Sequence, residues 1–139
     1  MKHFNFEDIE IGYEVSFNYD ITEEKMQKFL DITGDINPLH NDIVYAKSKG
    51  YSEKVVYGML TSSILSTLAG VYLPGEKSLI HEVSVSFVKP VLISNCPLTV
   101  KGKVINKEER FKQIEIKCSI FDKNKDKVLR GNMKIGFVK

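Results

Sequence analysis

Gly58-Met59-Leu60-Thr61-Ser62-Ser63-Ile64-Leu65-Ser66-Thr67-Leu68-Ala69-Gly70-Val71 carries no charged residue. Its apolar residues fall on nearly every side of a 3.6-residue wheel, which predicts a buried helix and not a surface one. The apolar stretch runs from about Val55 to Leu73, and Pro74-Gly75 ends it. Gly58, Ser62, Ser66 and Gly70 recur at four-residue spacing, a stripe that lets another backbone come close. A helix of this kind needs other elements wrapped around it.

The sequence after it supplies strands. Val83, Val85 and Phe87 alternate with Glu82, Ser84 and Ser86, and Pro90 ends that run or bulges it. Leu98, Val100 and Val104 suggest a second strand, and Ile114, Ile116, Cys118 and Ile120 a third. Asp122-Lys123-Asn124-Lys125-Asp126 is a charged hairpin loop, from which Val128 to Val138 returns. Before the helix, Val15, Phe17, Tyr19 and Ile21 alternate as a strand. Thr22 then caps a helix whose first turn holds Glu23 and Glu24 and whose stop is Gly34. Asp42 caps a short helix through Ile43 to Lys47, closed by Gly50. The predicted architecture is α+β: one antiparallel sheet wrapped around one long helix, a hot-dog arrangement. An open sheet edge is commonly hidden by a second subunit, so a homodimer is the expectation, with further pairing left open.

Between the two N-terminal helices lies Thr33-Gly34-Asp35-Ile36-Asn37-Pro38-Leu39-His40-Asn41-Asp42. Pro38 rules out one continuous helix, so the segment reads as a turn that aims a carboxylate, a carboxamide and an imidazole at one place. Asp and His move protons at neutral pH, and Asn orients a neutral partner. Asp35 and Asn37 are equally ordinary turn formers, and Gly58 is equally a packing glycine. The Ser62, Ser63 and Ser66 hydroxyls have no histidine nearby in sequence to activate them.

The chain of 139 residues is expected to form one domain, residues 1–139. Its 20 basic and 18 acidic residues leave a net charge of +2, too balanced for nucleic acid to be the main partner. Cys96 and Cys118 show neither a CxxC nor a Cys/His metal-ligand spacing, and Cys118 sits among the inward residues of its strand. The N-terminus lacks a signal-peptide core, and no segment has the length of a membrane span. A cytoplasmic protein with reduced thiols is the expectation.

Gly34-Asp35-Ile36-Asn37-Pro38-Leu39-His40 resembles the Asp-x-Asn-Pro-x-His signature of the MaoC-like (R)-specific enoyl-CoA hydratases. Tyr57-Gly58-Met59-Leu60 and Phe87-Val88-Lys89-Pro90-Val91 extend the likeness over almost the whole chain. The resemblance implies a hot-dog fold, usually dimeric, acting on an acyl-CoA or acyl-carrier-protein thioester in fatty acid or hydroxyalkanoate metabolism. It implies that Asp35 and His40 act on the catalytic water, that Asn37 belongs to the same site, and that the Gly58 N–H binds the thioester carbonyl. Ser66 stands where some members have a pocket serine, and Tyr57 stands where the family usually has His.

These residues suit the reaction. Hydration of a 2-enoyl thioester needs a deprotonated water at Cβ, a proton at Cα and stabilisation of charge on the thioester oxygen. An Asp–His pair covers the first two needs and a free N–H at a helix start the third, with no call for a metal or redox cofactor. Acid and base on one turn predict syn addition. Two other readings are an acyl-CoA thioesterase of the same fold, which would release the CoA thiol, and a module that binds acyl thioesters without turnover.

Overall fold

The alternating runs pair into one five-stranded antiparallel sheet in the computed structural model, which describes residues 1–139. The strands are β1 (Glu14–Tyr19), β2 (Ser78–Phe87), β3 (Leu98–Glu108), β4 (Gln113–Phe121) and β5 (Lys127–Phe137). Their order is β1-β3-β4-β5-β2, which leaves β1 and β2 as the two edges. A period of two sorts the side chains. Ile114, Ile116, Cys118 and Ile120 of β4 are fully buried, while Lys101 and Lys103 of β3 face solvent. Burial pushes the Cys118 thiol up to about 12, so it is a small hydrophobe of the core.

The inner face of the sheet is filled by α4 (Gly58–Thr67), which continues as a wider π turn over Leu68–Tyr72. Leu60, Ile64, Leu65 and Leu68 join Val100, Val104, Ile116 and Met133 in one core. Gly102 of β3 is what lets the helix settle: a Cβ there would stand 3.0 Å from Leu68 Cδ1. This is the α+β hot-dog arrangement expected from the sequence.

The helix starts at Gly58, and the backbone before it is bonded elsewhere: Val55 N–H donates to Leu39 O and Val56 N–H to Val91 O. It differs from expectation in being buried on one side only. Met59 is 63% exposed, and Ser63 and Ser66 are exposed, since a single sheet covers a single face of a helix. Edge strand β2 shows the same one-sidedness, with Val83 and Phe87 about half exposed.

The N-terminal helices follow their signals. Thr22 Oγ1 accepts from Lys25 N–H, and α1 (Glu23–Thr33) ends at Gly34, left-handed at φ 71°, whose N–H donates to Leu30 O. The Asp35–Asp42 segment is not a plain turn. Pro38 opens a short helix, α2 (Pro38–Asn41), before α3 (Ile43–Ser48). Proline is tolerated at a first helical position, where its missing N–H would be unpaired anyway.

Candidate active site

Three side-chain caps in succession shape the segment after α1. Asp35 Oδ1 accepts from Asn37 N–H at 3.1 Å, Asn37 Oδ1 from Leu39 N–H at 2.9 Å, and Asp42 Oδ1 from Val44 and Tyr45 N–H. Each of these short polar side chains bonds to backbone a few residues on, which bends the chain without help from distant contacts. The other Asp35 carboxylate oxygen has no partner in the chain. Asn37 acts here as the turn former that its sequence position also allowed: its carboxamide oxygen caps α2.

His40 is fixed from two sides. Its Nδ1 lies 2.7 Å from Val55 O, and a carbonyl only accepts, so Nδ1 carries the proton. In the neutral ring Nε2 is then the lone-pair nitrogen. The ring also stacks on Tyr57, with centroids 4.2 Å apart and planes 29° apart. Tyr57 is 1% exposed, and its hydroxyl lies 2.8 Å from Asp35 O and 3.0 Å from Asn41 Oδ1. The Asn41 Nδ2 donates to Asp35 O and Asn37 O, which orients its oxygen toward the tyrosine. One phenolic hydrogen is therefore shared between two acceptors, and Tyr57 ties the turn together beneath the imidazole.

Gly58 follows Tyr57 directly and is the first residue of α4. Its N–H has no backbone partner, as expected of a helix start, and sits at the positive end of the helix dipole. Asp35, His40, Tyr57 and Gly58 line one open cleft of about 640 Å³, shared with Phe29 and Phe87. The cleft thus combines a carboxylate, an imidazole with a free lone pair and an unpaired N–H.

Other expectations fare differently. Ser66 is exposed on α4 and does not line the cleft: it shares a face with Ser62 but lies eight residues beyond Gly58, a rise of about 12 Å. Ser62 and Ser63 do line it, but their hydroxyls donate to Met59 O and Leu60 O on their own helix. Tyr57 lines the cleft, and its hydroxyl is spent on the turn. Asn41 escaped the sequence reading, since it resembles any helix-end asparagine until Tyr57 is beside it. Phe87, a strand residue and part of a motif in the sequence, lines the cleft as well. No group of three or more His, Cys, Asp or Glu side chains is arranged to hold a metal ion.

The chain is 30% identical over 121 residues to an (R)-specific enoyl-CoA hydratase of Rhodospirillum rubrum, covering 85% of this chain and 83% of the relative. It is 29% identical over 119 residues to a 3-hydroxybutyryl-CoA dehydratase of Methylorubrum extorquens, covering 84% and 75%. The solved structure of an (R)-hydratase from A. caviae involved in PHA biosynthesis superimposes with a TM-score of 0.88 at 25% identity, covering 94% of this chain and 98% of that one. The MaoC like domain model matches residues 6–122, most of the chain. The chain belongs to the MaoC-like domain family.

Proposed function

We propose that this chain is a hydro-lyase that adds water reversibly to trans-2-enoyl-CoA, giving (R)-3-hydroxyacyl-CoA. The observation that carries the reading is the free Nε2 of His40, held in one tautomer by Val55 O, in a cleft shared with Asp35 and the Gly58 N–H. His40 Nε2 takes a proton from water while the Asp35 carboxylate accepts that water's other hydrogen. The water oxygen bonds to Cβ, charge passes to the thioester oxygen at the Gly58 N–H, and His40 returns its proton to Cα. One water is consumed, and its oxygen and the proton arrive on the same face. Asn37 contributes by capping α2 beneath His40. The relatives named above as a hydratase and a dehydratase support this direction-neutral reading.

The test follows loss of the conjugated enoyl thioester by absorbance with crotonyl-CoA, with thiol release monitored in parallel. Absorbance loss without thiol release is expected. Thiol release alone would make the protein a thioesterase, and binding without either would make it a non-catalytic module.

Tyr57→Phe keeps the ring under His40 and removes only the shared hydroxyl. It should destabilise the protein by about 1 kcal/mol. Turnover should fall on the order of tenfold with KM little changed, because the reacting groups lose alignment and not contact with substrate. An unchanged kcat in a variant with a lowered melting temperature would leave Tyr57 a purely structural role.

The same proposal includes a cytoplasmic homodimer of one-domain chains. Support comes from the free thiols of Cys96 and Cys118, and from the uncovered apolar flank formed by Ile80, Val83 and Phe87 of β2 with Met59 of α4. No helix is long and apolar enough to cross a membrane. Light scattering on the purified protein should give the mass of two chains, or a multiple of it; a monomer would overturn the pairing.

A further inference from the structure

Two groups that act on one water must keep a fixed separation, yet different contacts hold Asp35 and His40. The imidazole is held by Val55 O and by its stack on the Tyr57 ring, and neither of these contacts involves Asp35. Asp35 is held atom by atom. Its N–H donates to Thr33 Oγ1 at 3.2 Å, its Oδ1 accepts from Asn37 N–H, and its carbonyl accepts from the Tyr57 hydroxyl and from Asn41 Nδ2. Thr33 is itself oriented, because its hydroxyl hydrogen goes to Phe29 O at 2.8 Å. Oδ2 is left as the one polar atom of Asp35 free for water, and its place follows from where the rest of the residue is fixed.

Asn41 joins the two holdings. Its Nδ2 donates to Asp35 O at 3.3 Å and to Asn37 O at 3.1 Å, while its Oδ1 lies 3.0 Å from the Tyr57 hydroxyl. Two donors and an acceptor in one small plane are what a carboxamide offers; a carboxylate has no donor and leucine has neither. The bonds close the segment from Asp35 to Asn41 on itself, with His40 next to Asn41 in the chain. That closure matters because α2 is a single turn of four residues, and one turn holds little shape unaided. Asn41 does not line the cleft, so it acts on the chemistry only through the groups it holds.

We propose that Asn41 is a positioning residue, whose carboxamide sets the Asp35 carboxylate relative to the His40 imidazole. This rests on the hydratase reading above. Misplacing a catalytic group by about 1 Å can cost up to about 10²-fold in rate, so loss of one strut has a measurable effect on turnover.

The test is Asn41→Leu, which is close to asparagine in shape and removes all three bonds. Asn41 is exposed and Asp35 O keeps the Tyr57 hydroxyl, so the freed carbonyls can turn to water and the variant should fold. Hydration of crotonyl-CoA is measured per folded enzyme in two backgrounds, wild type and Asp35→Asn. In wild type, kcat should fall about tenfold with KM little changed. In Asp35→Asn the same substitution should cost less than about twofold in kcat, because the group it positions has already lost its function. The melting temperature should drop equally in both backgrounds, which separates alignment from folding. An equal fold-loss of kcat in the two backgrounds, or an unchanged kcat in Asn41→Leu, would overturn the inference and leave the hydratase reading standing. Absence of hydration by the wild-type protein would overturn both.

Discussion

His40→Ala is expected to lower kcat for enoyl-CoA hydration by about 10²–10⁴-fold, the usual worth of a general acid–base group. The imidazole is the one group in the cleft whose lone pair is left over after its other nitrogen has donated to Val55 O. Alanine removes the base, the ring that stacks on Tyr57 and the tautomer lock together. Asp35→Asn tests the other half more gently. The amide can still cap Asn37 through its oxygen, so the bend survives, but it has lost the charge that holds a water hydrogen. Its kcat should fall by at least about a hundredfold, with the melting temperature near wild type. The double variant should be little worse than the poorer single one, because the two groups act on one water. Stopped assays on folded protein, checked by circular dichroism, decide the matter. Full activity in both single variants would falsify the mechanism.

The second large effect concerns a backbone atom. Gly58→Pro should reduce kcat by about 10²–10³-fold, the range for removing one oxyanion donor. The substitution is unusually clean at this position. Gly58 is the first residue of α4, where proline is accepted, and Tyr57 before it sits at φ −55° and ψ 121°, the region favoured before proline. An added Cβ would meet the Phe87 ring at 3.2 Å, but that ring is half exposed and has room to shift. Gly58→Ala carries the same Cβ and keeps the N–H, so the ratio of the two variants isolates the donor. Equal activity in proline and alanine variants would remove Gly58 N–H from the mechanism.

Much of this was legible in the sequence because it is local. Thr22, Gly34 and Asp42 act within a few residues of themselves, and the alternation through Ile114 to Ile120 needs only the strand's own period. The Asp35–His40 segment and Gly58 declared themselves by motif. What stayed hidden depends on contacts far along the chain. The His40 tautomer is set by Val55, fifteen residues away, and the Tyr57 clamp spans twenty-two residues to Asp35. Nothing in the spacing marks either. Ser66 shows another limit, because a matching position on the helix face did not tell how far along the axis the cleft extends. The exposed flank of α4 and β2 was misjudged because an apolar pattern says that a face wants cover, not whether the same chain provides it.

Val55 joins three parts of the molecule: its N–H donates to Leu39 O, its carbonyl accepts from His40, and it forms a β-bridge with Leu92 after the β2 strand. All three hang on the two peptide groups that flank one residue, and a shift of that residue disturbs them together. Local opening there is a single event: the amide hydrogen of Val55 exchanges with solvent only when the strap that holds the imidazole has loosened. A backbone proton that takes no part in the reaction thus keeps time for the active site, its exchange rate counting how often the base is out of place.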